Sequence, residues 1–154
     1  MISLEGPCIE LNSKAVLCLG MVFNELGNNS MKYGALMHEQ GSIDVQWQVI
    51  DSVLRLSWTE NHDGELPDNI DGGLGSQIIR YAIPHELDGE SDIKVAGKGI
   101  EFKTSFLKES NFIRSLCFSS FFKRVRAFLK SFWLINSRTS KKISDICFSP
   151  SKIS

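Results

Sequence analysis

The chain of 154 residues lacks any run of about 18 unbroken apolar residues, so no membrane-spanning helix is expected. Its first residues, Met-Ile-Ser-Leu-Glu-Gly-Pro, also lack the basic start and the apolar stretch of a secretory signal. Hydrophobic residues make up 42% and charged residues 23% of the chain, as in an ordinary globular protein. These features predict a cytoplasmic protein that is long enough for one domain with a sizeable core.

Cysteine is scarce and scattered. The four cysteines lie far apart and form no Cys-x-x-Cys pair: Cys8, Cys18, Cys117 and Cys147. A zinc site or a redox pair is therefore not expected, and reduced, partly buried thiols are the better interpretation.

Charge is unevenly distributed along the chain. Residues 1–107 carry 7 Lys and Arg against 16 Asp and Glu, a net charge of -9, whereas residues 108–154 carry 10 against 2, a net charge of +8. A difference this sharp predicts two segments of different character. We assign residues 1–107 to a folded domain and residues 108–154 to a basic tail, rich in aromatic residues and serine, that is partly helical or disordered.

Within residues 1–107 the hydrophobic pattern alternates between helical and strand periodicity. Either Asn12 or Ser13 is suited to cap the first helix, and Gly34 is suited to end it. The pattern predicts, in order, a strand at 3–11, a helix at 14–33, a hairpin at 43–58 turning at Asp51-Ser52, a polar loop at 59–73, a helix at 74–83 broken near Pro84, and a hairpin at 93–102 around Gly97-Lys98-Gly99. Helices separated by antiparallel hairpins favour an α+β fold, a two-layer α/β sandwich with both helices on one face of a mixed sheet.

The first predicted helix carries a set of polar residues that suits a nucleotide with a metal ion. Glu25, Asn29 and Lys32 follow helical spacing and would share one face. Amide and carboxylate oxygens are hard ligands for Mg²⁺ or its waters, and a lysine neutralises phosphate charge. On spacing alone, a solvated helix face is the commoner explanation.

Two further features also allow both a nucleotide-binding and a purely structural interpretation. Gly72-Gly73-Leu74-Gly75-Ser76 precedes or begins a predicted helix, where backbone N–H groups favour an anion, although a linker would have the same composition. Glu60, in Trp58-Thr59-Glu60, is a carboxylate at a strand end that could accept a hydrogen bond from an adenine amino group, or could simply face solvent.

Taken together and in order, these segments resemble the ATP-binding catalytic domain of HWE-family sensor histidine kinases, which belong to the GHKL ATPase superfamily. The resemblance covers about residues 3–107. It depends on Leu4-Glu5-Gly6-Pro7, Leu19–Leu26, Lys32-Tyr33-Gly34-Ala35-Leu36, Trp47, Trp58-Thr59-Glu60, Gly73-Leu74-Gly75-Ser76 and Leu87-Asp88-Gly89. It implies a GHKL (Bergerat) fold, with ATP and Mg²⁺ as cofactors and phosphoryl transfer to histidine as the activity.

The resemblance also implies roles for individual residues. Glu25 would be the catalytic acid of the nucleotide-binding helix, acting as general base or ordering metal-bound water, and Asn29 would contact Mg²⁺ and the phosphates. Lys32 and Tyr33 would lie along the nucleotide, and Glu60 would take the acidic position beside adenine. The phosphate-side glycine segment would supply Gly73, Gly75 and Ser76.

The sequence departs from this family in three respects. Asn24 replaces the family's histidine, and His62 and Asp63 replace glycines that follow Trp-x-Glu, where they would strain or block the site if a positive φ is required there. The helical region that carries the phosphoacceptor histidine is not found before the first helix, and the chain's own histidines are expected to be loop or surface residues: His38, His62 and His85.

These departures leave alternatives open. One is a catalytically inactive interaction protein or a decaying kinase fragment, and a gyrase-like or chaperone-like ATPase is more distant. Expected partners are a response regulator or an intact histidine kinase, and no nucleic acid. The basic tail at 108–154 would contact an acidic membrane surface weakly, would fold against the acidic domain, or would be sequence gained by frameshift or fusion.

Overall fold

A computed structural model describes residues 1–64, 74–108, 116–117 and 127 of the chain. The elements follow in this order: β1 (Ile2–Glu5), β2 (Glu10–Leu11), α1 (Ser13–Tyr33), a 3-10 turn (Ala35–Met37), β3 (Ser42–Ile50), β4 (Val53–Asn61), α2 (Leu74–Leu87), β5 (Glu90–Ala96), β6 (Gly99–Leu107) and β7 (Leu116–Cys117). In this part of the chain, no helix has both the length and the apolar character needed to cross a bilayer.

The main sheet has five strands in the order β1-β3-β4-β6-β5. β1 runs parallel to β3, and every other neighbouring pair in this sheet is antiparallel, so the sheet is mixed. The α+β fold predicted from the sequence is confirmed.

The core lies between one face of this sheet and the two helices. Alternate strand residues point into it, and Trp58 and Phe102 are opposite each other on β4 and β6. Their neighbours on the other sheet face are polar and largely exposed, for example Arg55 and Lys103. This alternation with a period of two places both helices on one face, as in a two-layer sandwich.

Helix α1 begins and ends close to the positions that the sequence predicts. The Asn12 side chain caps it by accepting a hydrogen bond from the Ala15 N–H at 2.8 Å. Gly34 ends it, and the Gly34 N–H donates to the Ser30 carbonyl at 3.0 Å. Lys14 near the start of α1 lies 3.4 Å from Glu86 near the end of α2, and Glu25 in the second half of α1 lies against Gly75 at the start of α2, so the two helices run antiparallel.

Both hairpins are confirmed and are longer than predicted. Asp51 and Ser52 form the first turn with φ values of 50° and 64°, a left-handed pair that suits the twist of a tight hairpin. The second turn is at Gly97 and Lys98, between β5 and β6, and Gly97 has a φ of 61°.

Two predicted boundaries are wrong. The strand at 3–11 is divided into β1 and β2, because Gly6 lies against the Trp47 ring and the Pro7 carbonyl accepts a hydrogen bond from the Trp47 indole N–H at 2.8 Å. Helix α2 does not break near Pro84 but continues to Leu87. Proline removes one helical hydrogen bond, yet the buried Ile83 beside it anchors this turn in the core.

The segment that follows residue 107 contributes a short strand to the fold. β7 pairs antiparallel with β2, with Leu116 opposite Leu11 and Cys117 opposite Glu10. The division of the chain at residue 107 stays a prediction, and most of residues 108–154 lie outside the described part of the chain.

Candidate functional site

The second half of α1 presents the polar face that the sequence predicts. Glu25 and Asn29 are half-buried, and Lys32 and Tyr33 near the helix end are exposed. Positions 25, 29 and 32 differ by four and three residues, so their side chains leave the same face of the helix. The face therefore places an acidic, an amide and a basic group in a row on successive turns.

Helix α2 begins directly beside this face. A Cβ atom at Gly75 would lie only 2.5 Å from Oε2 of Glu25, so the backbone of α2 approaches the carboxylate as closely as glycine permits. Ser76 follows and is buried. The structure thus brings together Glu25, Gly75 and Ser76, which lie about fifty residues apart in the sequence. Gly73 lies outside the described residues.

Asn24, which replaces the histidine expected from the family resemblance, is exposed beside Glu25. Its amide Nδ2 donates to Oε1 of Glu25 at 3.5 Å, at the long limit of a hydrogen bond. An amide at this position interacts with the carboxylate without carrying charge.

Glu60 is not a solvent-facing acid at a strand end. Only 2% of its surface is exposed, because Glu60 lies two residues after Trp58 on β4 and points to the same core-facing side of the sheet. Its Oε1 accepts from the Trp58 indole N–H and its Oε2 from the Ala35 backbone N–H, both at 2.9 Å. Burial raises the pKa of Glu60, and the hydrogen bonds from Ala35, Trp58 and the Ser30 hydroxyl oppose that rise.

His62 is buried rather than a surface residue, with 4% of its surface exposed. Its ring stacks on that of His38 with the centroids 4.7 Å apart and the planes 1° from parallel. Its Nδ1 accepts from the Gly64 N–H at 3.2 Å, which places the proton of the neutral ring on Nε2. Burial and the nearby His38 lower the pKa of His62, whereas Asp63 acts in the opposite direction.

The positions that replace family glycines carry no left-handed backbone. Among the described residues, the non-glycine residues with positive φ are Asp51, Ser52 and Asp88, so His62 and Asp63 adopt ordinary conformations. Asp63 instead lies 3.6 Å from the His38 Nδ1. The strain considered for these two residues is therefore not present.

Sequence reasoning assigned no contact at the site to Ser30, Trp58 or His38, although Ser30 and Trp58 bind Glu60 and His38 stacks on His62. Ser30 is fully buried on α1, and its hydroxyl oxygen accepts from the Leu36 N–H at 3.2 Å. A small polar residue on an otherwise apolar helix face was the available signal, because buried polar groups in native proteins have hydrogen-bond partners.

Two other observations concern the described part of the chain outside this site. No three His, Cys, Asp or Glu side chains come together there as a metal site. A shallow groove of about 970 Å³ lies on the opposite sheet face, among residues such as Gln46, Arg55 and Lys103. The groove contains none of the predicted site residues.

Sequence comparison finds relatives among histidine kinases, although no family model matches the chain. Blue-light-activated histidine kinases of Brucella ovis and Brucella abortus are 26% identical to it over 103 residues, which is 64% of this chain and 21% of the relative. A blue-light-activated histidine kinase 1 of Erythrobacter litoralis is 37% identical over 59 residues, which is 38% of this chain and 16% of the relative. The chain thus spans about a fifth of the length of these curated relatives.

Solved structures of histidine kinases share the fold. The histidine kinase domain of the Erythrobacter litoralis EL346 blue-light activated histidine kinase matches with a TM-score of 0.59 and 18% identity, over 70% of this chain and 51% of that one. A nucleotide-free catalytic domain of the histidine kinase ThkA matches with a TM-score of 0.54 and 17% identity, over 70% of this chain and 77% of that domain. The chain is thus similar in sequence to histidine kinases and shares the α+β fold of their catalytic domains.

Proposed function

We propose that this chain is the ATP-binding catalytic module of a two-component sensor histidine kinase of the HWE type. The observation that carries the proposal is the row of Glu25, Asn29 and Lys32 on α1, with the Glu25 carboxylate against Gly75 at the start of α2. A face of candidate metal ligands therefore lies next to a helix N-terminus, a combination that suits a nucleotide triphosphate with Mg²⁺.

The residues fit that ligand by their chemistry. Mg²⁺-ATP would supply the transferable phosphoryl group, and the protein would contribute positioning and electrostatic stabilisation. The oxygens of Glu25 and Asn29 suit Mg²⁺ or its waters, and Glu25 is also placed to accept a proton as the general base. Lys32 would neutralise phosphate charge.

The remaining predicted residues complete the proposed site. Tyr33, with 59% of its surface exposed, would lie along the nucleotide. Gly75 and Ser76 would offer N–H and hydroxyl donors to the phosphates at the start of α2, and Gly73 is proposed beside them.

The phosphoacceptor is proposed to be a histidine outside the described domain. His38 and His62 are engaged with each other, and His85 is exposed on α2 and shares a hydrogen bond with Glu86. Purified alone, this chain is therefore expected to bind nucleotide without phosphorylating itself. A response regulator would be the downstream partner in the cytoplasm.

Titration calorimetry of the full chain with ATP and Mg²⁺ tests the proposal. Asn29→Ala should weaken binding by about tenfold or more, because hydrogen bonds and contacts to charged groups are lost. Asn28→Ala is the matched control, since it makes the same change at the preceding residue of the same helix and should leave the affinity unchanged. No binding by the wild-type chain, or equal effects of both substitutions, would contradict the proposal.

An interaction protein that keeps the fold without catalysis is the second candidate. Asn24, His62 and Asp63 favour it, because they stand where the family has a histidine and two glycines. Such a protein would bind an intact kinase or a response regulator equally well with and without ATP. A requirement for ATP in that binding would count against it.

A further inference from the structure

Two histidine rings pack against each other directly after the end of β4. The rings of His38 and His62 are stacked, with their centroids 4.7 Å apart and their planes 1° from parallel. The lone pair of an imidazole nitrogen lies in the plane of the ring, so a metal ion bound by both rings would have to lie in both planes at once. Two stacked, parallel planes have no such point in common. The proton is the other ligand that imidazole binds near neutral pH.

Both rings are attached to backbone that is held in place. His38 follows the 3-10 turn after α1, where its N–H donates to the Ala35 carbonyl at 3.3 Å and its carbonyl accepts from the Gly41 N–H at 3.2 Å. The His62 N–H donates to the Lys98 carbonyl at 3.1 Å, in the turn between β5 and β6. The stack therefore connects two turns that come from distant parts of the sequence.

Gly64 contacts both rings. Its N–H donates to Nδ1 of His62 at 3.2 Å. A Cβ atom at Gly64 would overlap Cε1 and Nε2 of His38, so the Gly64 backbone packs directly on that ring. Asp63, the residue between them in sequence, has its Oδ1 3.6 Å from Nδ1 of His38. Through these contacts the two histidines hold Asp63 and Gly64 beside the turn after α1.

A proton on Nδ1 of His62 is incompatible with these contacts. The proton turns an acceptor into a donor that faces the Gly64 N–H, so the hydrogen bond is lost. The charged ring is also deprived of water, since only 4% of His62 is exposed. Burial and the neighbouring His38 accordingly lower the pKa of His62, and the Asp63 carboxylate acts in the opposite direction. Further charged residues on the elements around the pair are Glu39, Glu60 and Lys98.

We propose that His38 and His62 form a pH-sensitive latch, which holds Asp63 and Gly64 against the turn after α1 while His62 is neutral and releases them when His62 takes up a proton. The latch does not depend on whether the chain binds ATP, because every contact in it is made within the protein. It can therefore be measured without nucleotide.

Amide hydrogen exchange of the full chain between about pH 7.5 and about pH 5.5 measures the release. Rates are expressed as protection factors, which removes the intrinsic dependence of exchange on pH. Protection of the Gly64 amide should fall about tenfold over this range, as expected for the loss of one hydrogen bond. The amide of Phe102, in the buried part of β6, reports global unfolding. A fall at Gly64 of less than about twofold, or no larger than the fall at Phe102, would overturn the proposal.

Three substitutions test which histidine responds. His62→Gln removes the group that takes up the proton, so Gly64 protection should vary by less than about twofold with pH. His38→Phe keeps a ring in the stack but removes the neighbouring charge, so the release should shift to higher pH. His85→Gln is the control, because it removes an exposed histidine on α2 and should leave the wild-type profile unchanged. A response that persists in His62→Gln, or that disappears in His85→Gln, would overturn the proposal.

Nuclear magnetic resonance of the wild-type chain tests the stack without any substitution. The ring protons of His38 and His62 should show a nuclear Overhauser effect near neutral pH and lose it on acidification, with the same midpoint as the loss of Gly64 protection. An effect that persists throughout, or a separate midpoint, would contradict the latch. This measurement decides the matter even if His62→Gln does not fold.

Discussion

Among the residues that the structure describes, two glycines lie against carboxylate oxygens, and replacing each with alanine is expected to give different results. At Gly34 the new methyl group would overlap Oε2 of Glu60 and crowd the Cα of Ser30. Neither neighbour can move easily, since one is backbone within α1 and the other is a buried, hydrogen-bonded side chain. Overpacking costs about 1–3 kcal/mol and a lost buried hydrogen bond about as much again, so Gly34→Ala should destabilise by about 2–5 kcal/mol.

At Gly75 the new methyl group would contact a side chain that has room to move. The nearest atoms all belong to the Glu25 side chain, which is half-buried and can rotate toward solvent. Alanine also gains up to about 1 kcal/mol over glycine within a helix. The free energy of unfolding of Gly75→Ala should therefore stay within about 1 kcal/mol of the wild type. Its affinity for MgATP should fall nevertheless, because the Glu25 carboxylate is displaced.

Urea denaturation of the wild type and both variants provides the comparison, with the slope of the transition checked for constancy. A stable Gly34→Ala protein would show that the turn is not packed tightly onto Glu60. A Gly75→Ala protein as unstable as Gly34→Ala would show that Glu25 is held rigidly. Either result would refute the argument that burial and hydrogen bonding of the carboxylate decide the outcome.

Three further predictions concern stability. Because the pKa of His62 is lowered on folding, the unfolded chain binds more protons than the folded chain near pH 6, so the free energy of unfolding should fall as the pH drops from 7 through 6. In urea titrations at several pH values, His62→Gln should weaken this dependence of the unfolding free energy on pH, and an unchanged dependence would exclude His62 as its cause. Phe102→Ala, at a fully buried position, should destabilise by about 3–5 kcal/mol in the same assay, and a loss below about 1 kcal/mol would contradict its place in the core. Pro84→Ala should restore a helical hydrogen bond and stabilise by about 1–2 kcal/mol, whereas a loss would show that the ring packing matters more.

The elements that sequence predicted well are those determined by local physics. The sequence of α1 contains a capping residue, an apolar stripe and a terminal glycine. In the structure Asn12 caps the helix, the apolar stripe is buried and Gly34 ends the helix. The hairpin at Asp51-Ser52 follows from alternation on both sides of a short turn. The continuation of α2 through Pro84 was not predictable in this way, because the burial of Ile83 that anchors it depends on the assembled core.

In the candidate site, too, the sequence predicted the local arrangement but not the contacts between distant residues. Glu25, Asn29 and Lys32 share a face because helical spacing alone requires it. The connection of Glu60 to Ala35 spans 25 residues, and the stack of His62 on His38 spans 24. Neither connection leaves a periodic pattern in the sequence. Trp58-Thr59-Glu60 indicated an acid at a strand end, but β4 continues to Asn61, and its alternation directs Glu60 into the core.

The contrast between Glu25 and Glu60 shows why residue type alone does not assign a role in this site. An ionised carboxylate has about four acceptor positions. At Glu60 three donors are already bound, and only 2% of its surface is exposed. Within the described residues Glu25 accepts one long hydrogen bond, from Asn24 at 3.5 Å, so most of its acceptor capacity stays available to a metal ion or water. A group that must bind and release a metal ion needs such unused acceptors, and this requirement favours Glu25 over Glu60 as the metal-binding carboxylate of the proposed site.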